Sequence, residues 1–320
     1  MDRLLILLSI LALLITGSIK LAHYAYSMIL APLYDHYFSP AEPVAAEPDI
    51  YYFSTVDPAI LLSKNVLLME AGTQKILLDK QGQERIYPAS MSKIMTVLAA
   101  LEVIDDLNQT VCVGKDIFPA LYAADATTVG FLPDEEVKVL DLLYGAMLPS
   151  GADASMMLAL HAGGSEREFI SLMNWIAKDI GMNDTLFANT TGLHNDSHYT
   201  TAKDLALLLD YALKNPVFRT VFTASEYEVA GTNKHPEGLT MSSSLFKRLH
   251  DPQIDGGTIL GGKTGYTREA GLCMASLAEK AGAEFILITA GAAGNYQSEP
   301  AYIYDALTVY EGLGYAKNDE

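Results

Sequence analysis

Strand-like runs sit near both ends of this 320-residue chain, and most of what lies between them reads as helix. "NVLLMEAGTQKILLDK" (residues 65–80) holds two apolar runs around Gly72 and Thr73, a hairpin signal. "GLCMASLAEKAGAEFILITAGA" (271–292) reads as two further strands joined by a polar turn. Residues 91–104 are apolar almost all round, as suits a helix buried in a core. Helical patterns also cover 140–160, 166–180 and 202–214, and "PAYIYDALTVYEGLG" closes as a helix with Pro300 at its start and Gly312 or Gly314 near its stop. This order predicts an α+β fold. One antiparallel sheet is built from the two chain ends, helices flank it, and the middle of the chain forms an all-helical lobe. A functional site is expected in the groove between them.

A formal net charge of −18 excludes a nucleic-acid partner, since no basic face is available to neutralise phosphates. The two cysteines, Cys112 and Cys273, are too few for a disulfide framework and lack metal-ligand spacing; both are expected to be buried free thiols. At the N-terminus, residues 4–19 form an apolar run bounded by Lys20. As helix this run spans about 24 Å, somewhat short of the ~30 Å hydrocarbon core. A tilted membrane anchor and a cleaved signal peptide, together covering residues 1–27, both fit, and both export the rest of the chain. Residues 28–50 include the proline- and alanine-rich "SPAEPVAAEPD", expected to be an extended stalk, and 51–320 form the folded domain.

The chemistry starts at "PASMSK". Ser90 and Lys93 stand at i and i+3, which share one face of a helix. A serine hydroxyl becomes a nucleophile when a neighbour accepts its proton, and lysine does so once its pKa is depressed by burial or by a second positive charge. Alone this spacing is a weak signal. Two further stretches strengthen it: "LLYGAMLPSGADAS" places Ser150 in a turn between helical segments, and "ILGGKTGYTREAGLCM" places Lys263, Thr264 and Gly265 at the start of a strand. The intervals are 57 residues from Lys93 to Ser150 and 113 from there to Lys263.

Serine-x-x-lysine, a serine turn, then lysine-threonine-glycine is the motif order of the penicillin-recognising serine enzymes. Over roughly residues 55–314 the chain resembles the low-molecular-mass penicillin-binding proteins that act as serine-type D-Ala-D-Ala carboxypeptidases, with "NTTGLHNDSHYTTAKDLALLL" adding to the likeness. The resemblance implies a β-lactamase/transpeptidase-like fold and an acyl-enzyme on Ser90 that releases the terminal D-Ala of peptidoglycan stem peptides, with no cofactor and no metal. It implies that Lys93 takes the Ser90 proton and that Ser150 shuttles protons. Lys263 would keep Lys93 partly neutral and attract the substrate carboxylate, and Thr264 would hydrogen-bond that carboxylate. Gly265 would let the substrate backbone lie close to the strand, and the amides of Ser90 and Tyr266 would form an oxyanion hole. β-Lactams would be covalent inhibitors. The protein would work outside the cytoplasm in a bacterial cell envelope, tethered by its N-terminal segment where many relatives use a C-terminal one.

One position departs from the pattern. The second motif usually reads serine-x-asparagine, and here the third residue is Ala152, with Asp153 no evident substitute. Substrate grip is therefore in question. Two alternatives remain open: a β-lactamase, although Glu166 and Glu168 lack the sequence context of a deacylating glutamate, and a non-catalytic wall-binding module of the same fold. His194, Asp196 and His198 in "HNDSH" form only a loose metal pattern, in a stretch that resembles a structural loop of the family.

Overall fold

The computed structural model describes residues 50–317. The expected anchor or signal segment (1–27) and all of the stalk before Ile50 lie outside the described residues, while Ile50 itself opens the first strand. In chain order the strands are β1 (Ile50–Ser54), β2 (Asn65–Glu70), β3 (Ile76–Lys80), β4 (Thr110–Cys112), β5 (Glu136–Lys138), β6 (Glu226–Val229) and β7 (Leu239–Ser242). They continue with β8 (Gln253–Ile254), β9 (Gly257–Thr267), β10 (Gly271–Lys280), β11 (Ala283–Ala292) and β12 (Leu313–Lys317). The helices are α1 (Ser92–Leu101), α2 (Phe118–Ala123), α3 (Val139–Met147), α4 (Ala152–Gly163), α5 (Glu166–Asp179), α6 (Ala202–Ala212), α7 (Pro216–Thr223) and α8 (Ala301–Glu311).

Six strands form one antiparallel sheet in the order β3-β2-β11-β10-β9-β8, so the two chain ends interleave as the sequence implies. The central strands are buried on both faces because helices cover both. Strand alternation sorts the side chains: Leu67, Met69, Ile286 and Ile288 join the large core shared with the helical middle of the chain. Val66, Leu68, Phe285 and Leu287 are equally buried but turn the other way. There α8 packs on β10 and β11, and the Tyr310 hydroxyl lies 2.9 Å from Ser276 Oγ. Helix α8 begins just after Pro300 and its C-cap is Gly312, where the sequence placed its limits. The C-terminal carbonyls of Tyr310 and Glu311 accept from Lys280 Nζ, a cation at the negative end of the helix dipole.

α1 is the buried helix at the centre of the molecule, with Ser92 through Ala100 all inaccessible. It packs against α3, α4, α5 and α6, which form the helical part of the fold. This region also carries two short antiparallel pairs, β4–β5 and β6–β7, that the sequence reading missed. They are three or four residues long, too short for alternation to register. One thiol expectation fails. Cys273 is buried in β10, but Cys112 is exposed, because β4 is a short strand with only its central residue inward.

Candidate active site

Chain geometry just before α1 sets up the first motif. Pro88 leads into a 3-10 turn, Ala89–Met91, which passes directly into the α-helix. Ala89 adopts φ +47°, the left-handed region that L-residues disfavour. Ser90 is half-buried at the head of this turn and Lys93 is buried one turn on. Lys93 Nζ stands 3.1 Å from Ser90 Oγ and 2.6 Å from the Thr191 carbonyl oxygen. Burial pushes the Lys93 amine down to about 7, partly opposed by the Asp153 carboxylate.

The second motif lies in the break between α3 and α4. Ser150, at φ +70°, turns the chain, and the Gly151 and Ala152 amides donate to the carbonyls of Gly145 and Thr127, both at 2.8 Å. Gly151 is required here, since a Cβ would fall 2.4 Å from Val129 Cγ2 and 2.9 Å from the Gly145 oxygen. Ser150 and Ala152 line the same cavity as Ser90 and Lys93, of about 510 Å³. Asp153 is turned away from it. Its wholly buried carboxylate accepts from the amides of Val129 (2.9 Å), Gly130 (3.4 Å) and Ala154 (2.9 Å). It thereby holds a segment whose earlier residues, Ala124 to Thr127, wall the cavity.

The third motif is on β9, and not at the strand's start as the sequence suggested. Lys263 to Tyr266 occupy the second half of an eleven-residue strand whose opening, "GTILGG", is too glycine-rich to read as one. β9 pairs with β10 throughout but with β8 only at Gly257 and Thr258, so the stretch from Lys263 onward is a free sheet edge among the described strands. Lys263 is wholly buried and donates to the Thr264 carbonyl at 2.8 Å. Burial first, then the charge of Lys93, hold its amine well below the usual lysine range. Thr264 Oγ1 lies 2.7 Å from Ser244 Oγ. A Cβ on Gly265 would meet Ser90 N at 3.0 Å and Ala89 Cβ at 3.2 Å, so the strand passes directly over the 89–91 turn. Tyr266 lines the cavity and meets Tyr296 edge to face, centroids 5.0 Å apart.

The remaining wall is the loop "NTTGLH". Asn189 organises it, accepting from the Thr191 and Gly192 amides and donating to the Leu193 carbonyl at 2.8 Å, which presents the Thr191 carbonyl to Lys93. The glutamates weighed as deacylating bases are engaged elsewhere. Glu166 accepts from the Thr190 amide and hydroxyl, and Glu168 pairs with Arg167 on the surface. His194 is exposed and His198 fully buried, and no group of three or more potential metal ligands occurs among the described residues. Sequence reasoning missed Thr191 and Tyr296, and it set Asp153 aside as a substitute for the motif asparagine, as its position bears out, without the bracing role it has. The first contributes a backbone atom, and the others act through contacts with residues distant in the chain.

This serine–lysine site on a helix head, flanked by an open sheet edge, defines a DD-peptidase type of architecture. The crystal structure of the Streptomyces K15 DD-transpeptidase matches it with a TM-score of 0.71 at 27% identity, over 80% of this chain and 98% of that one. By sequence, D-alanyl-D-alanine carboxypeptidase DacF of Bacillus subtilis is 33% identical over 232 residues, 72% of this chain and 57% of the relative. The D-alanyl-D-alanine carboxypeptidase of Streptomyces K15 is 30% identical over 221 residues, 67% of this chain and 75% of that one. The D-alanyl-D-alanine carboxypeptidase family pattern matches residues 53–294, and the chain belongs to that family. The match spans little more than half the length of DacF.

Proposed function

We propose that this protein removes the terminal D-Ala from peptidoglycan stem peptides through an acyl-enzyme on Ser90. The observation that carries the reading is a buried amine, pushed down to about 7, standing 3.1 Å from a serine hydroxyl at a cavity wall. Neutral Lys93 donates one N–H to the Thr191 carbonyl and offers its lone pair to the Ser90 hydroxyl proton. Ser90 Oγ attacks the penultimate D-Ala carbonyl, the amides of Ser90 and Tyr266 receive the oxyanion, and the C–N bond breaks as the leaving amine takes a proton by way of Ser150. Water then hydrolyses the ester and restores the free serine. The free edge of β9 suits an extended peptide lying alongside it as an added strand. Lys263 acts at a distance, its buried charge and that of Lys93 disfavouring each other. The Thr264 hydroxyl meets the substrate carboxylate, and Gly265 allows the strand its close approach.

The domain that does this spans about 51–320, with residues 28–49 leading as a stalk into the strand that opens at Ile50, and with 1–27 exporting it as a membrane anchor or a cleaved signal peptide. The site of action is the cell envelope outside the cytoplasm. No helix among the described residues is long and apolar enough to cross a membrane. β-Lactams mimic the peptide and acylate Ser90. The engagement of Glu166 and Glu168 away from the cavity weighs against the β-lactamase alternative, because neither carboxylate is poised to activate deacylating water. The binding-only alternative rests on Ala152 alone. Release of D-alanine from diacetyl-L-Lys-D-Ala-D-Ala decides between them. The wild type is expected to turn over and Ser90→Ala to be inert, whereas no release by the wild type would overturn the carboxypeptidase reading, and labelling by a fluorescent penicillin would then separate an acylating β-lactamase from a binding module.

A further inference from the structure

The peptide unit between Ala89 and Ser90 is held by a hydrogen-bond chain that begins outside all three motifs, at Ala188 and Asn189. The backbone N–H groups of these two residues point at His198 Nδ1, at 3.1 and 3.3 Å. Both are donors, so Nδ1 accepts and the imidazole proton resides on Nε2. Nε2 lies 2.7 Å from Ser92 Oγ, and Ser92 Oγ lies 2.8 Å from the Ala89 carbonyl oxygen. With Nε2 donating, the serine hydroxyl accepts once and gives its own proton to Ala89. Every link runs one way. Burial, with a smaller effect from His194, pushes His198 down to about 4, which keeps the ring neutral near pH 7 and the direction fixed.

What this chain holds is the strained residue before the nucleophile. Ala89 sits at φ +47°. Gly192 presses on the same carbonyl, where a Cβ would fall 1.9 Å from the Ala89 oxygen. The peptide is trans, as are all the described ones, so its C=O and its N–H point in opposite directions. Whatever fixes the Ala89 oxygen therefore aims the Ser90 N–H. A serine bonding back to the carbonyl three residues earlier is common in a first helical turn and by itself signifies nothing. Here that carbonyl shares its peptide plane with the amide assigned to the oxyanion.

We infer that His198 and Ser92 are positioning residues: they aim the Ser90 amide at the developing oxyanion by holding the Ala89 carbonyl in its left-handed turn. This rests on the acyl-enzyme reading above. Neither residue touches substrate. Their effect falls on both tetrahedral intermediates, since one amide serves acylation and deacylation alike.

The test uses Ser92→Ala, with His198→Gln as a second break in the chain, in the intact protein. Acylation by a chromogenic cephalosporin is followed in stopped flow and normalised to titrated sites, and the acyl carbonyl stretch is read by infrared difference spectroscopy. Loss of an entire oxyanion donor costs about 10²–10³-fold, so mis-aiming one is expected to slow acylation by roughly 10–100-fold. The non-covalent dissociation constant should hold, and the carbonyl band should move to higher wavenumber as its hydrogen bond weakens. His198→Gln is expected to shift the band in the same direction. An acylated variant whose band stays at the wild-type position, whatever its melting temperature, overturns the proposal alone. A wild-type protein that takes no acyl group overturns the functional reading and this proposal with it.

Discussion

Gly265→Ala separates two explanations of one residue. From the motif alone, this glycine makes room for substrate backbone. In the structure, the added methyl points at the 89–91 turn, 3.0 Å from Ser90 N, 3.2 Å from Ala89 Cβ and 3.4 Å from Met91 N. Comfortable contacts for a carbon lie near ~3.5–4.0 Å, so the strand and the turn must part by about half an ångström. Neither side yields easily: β9 is registered on β10 at Gly265 and Cys273, and the turn is continuous with α1. Overpacking of this kind costs about 1–3 kcal/mol. At ~2–4 °C per kcal/mol for a domain of roughly this size, the melting temperature should fall by about 2–12 °C. The same displacement separates the Ser90 and Tyr266 amides. A 1 Å misplacement costs about 10²-fold, so half of that should lower kcat about tenfold with little change in KM. Steady-state D-Ala release and a thermal melt on the same preparation read both. A raised KM with kcat intact would return the glycine to the substrate side and refute the packing argument.

Lys93 and Ala152 carry three further outcomes. Because Lys93 must be neutral to accept a proton and burial holds it near 7, acylation should rise as pH passes up through about 7 and then level off; a rate flat from pH 5 to 9 would place the base elsewhere. The same depression makes stability depend on pH. Between about 7 and 10.5 the unfolded chain binds a proton that the native amine does not, so stability from this group grows with pH by about 1.4 kcal/mol per unit in that window and is lost as pH falls through it. Urea melts at two pH values should show that slope reduced in Lys93→Met, and equal slopes would mean a charged native lysine. Ala152→Asn places an amide on the cavity wall, where one added hydrogen bond of about 0.5–1.5 kcal/mol should lower KM several-fold for a D-Ala-D-Ala peptide. An unchanged or higher KM would show a groove shaped around alanine.

Much of this was legible because it rests on local periodicity. The i, i+3 relation of Ser90 and Lys93 holds across the change from 3-10 to α-helix, and the two terminal hairpins gave the sheet its strands. β9 was cut short in the reading because Gly257, Gly261 and Gly262 dilute its strand signal, although its pairing with β10 carries it through. Left-handed backbone at Ala89 and Ser150 left no trace, since neither is the glycine such turns favour. The His198–Ser92 contact joins residues 106 apart, and Asp153 bonds amides 23 and 24 residues earlier. Spacing rules do not reach such distances. Cys112 was misplaced for the opposite reason: a residue-type tendency toward burial gave way to the outward phase of a three-residue strand.

The central claim is that Ser90 carries the acyl group. Intact-protein mass spectrometry after exposure to benzylpenicillin, with peptide mapping of the adduct, addresses it most directly. One drug mass per chain is expected, persistent for want of a poised glutamate, located on the peptide containing Ser90 and missing from Ser90→Ala. An adduct on any other residue, or one retained by Ser90→Ala, would contradict the assignment.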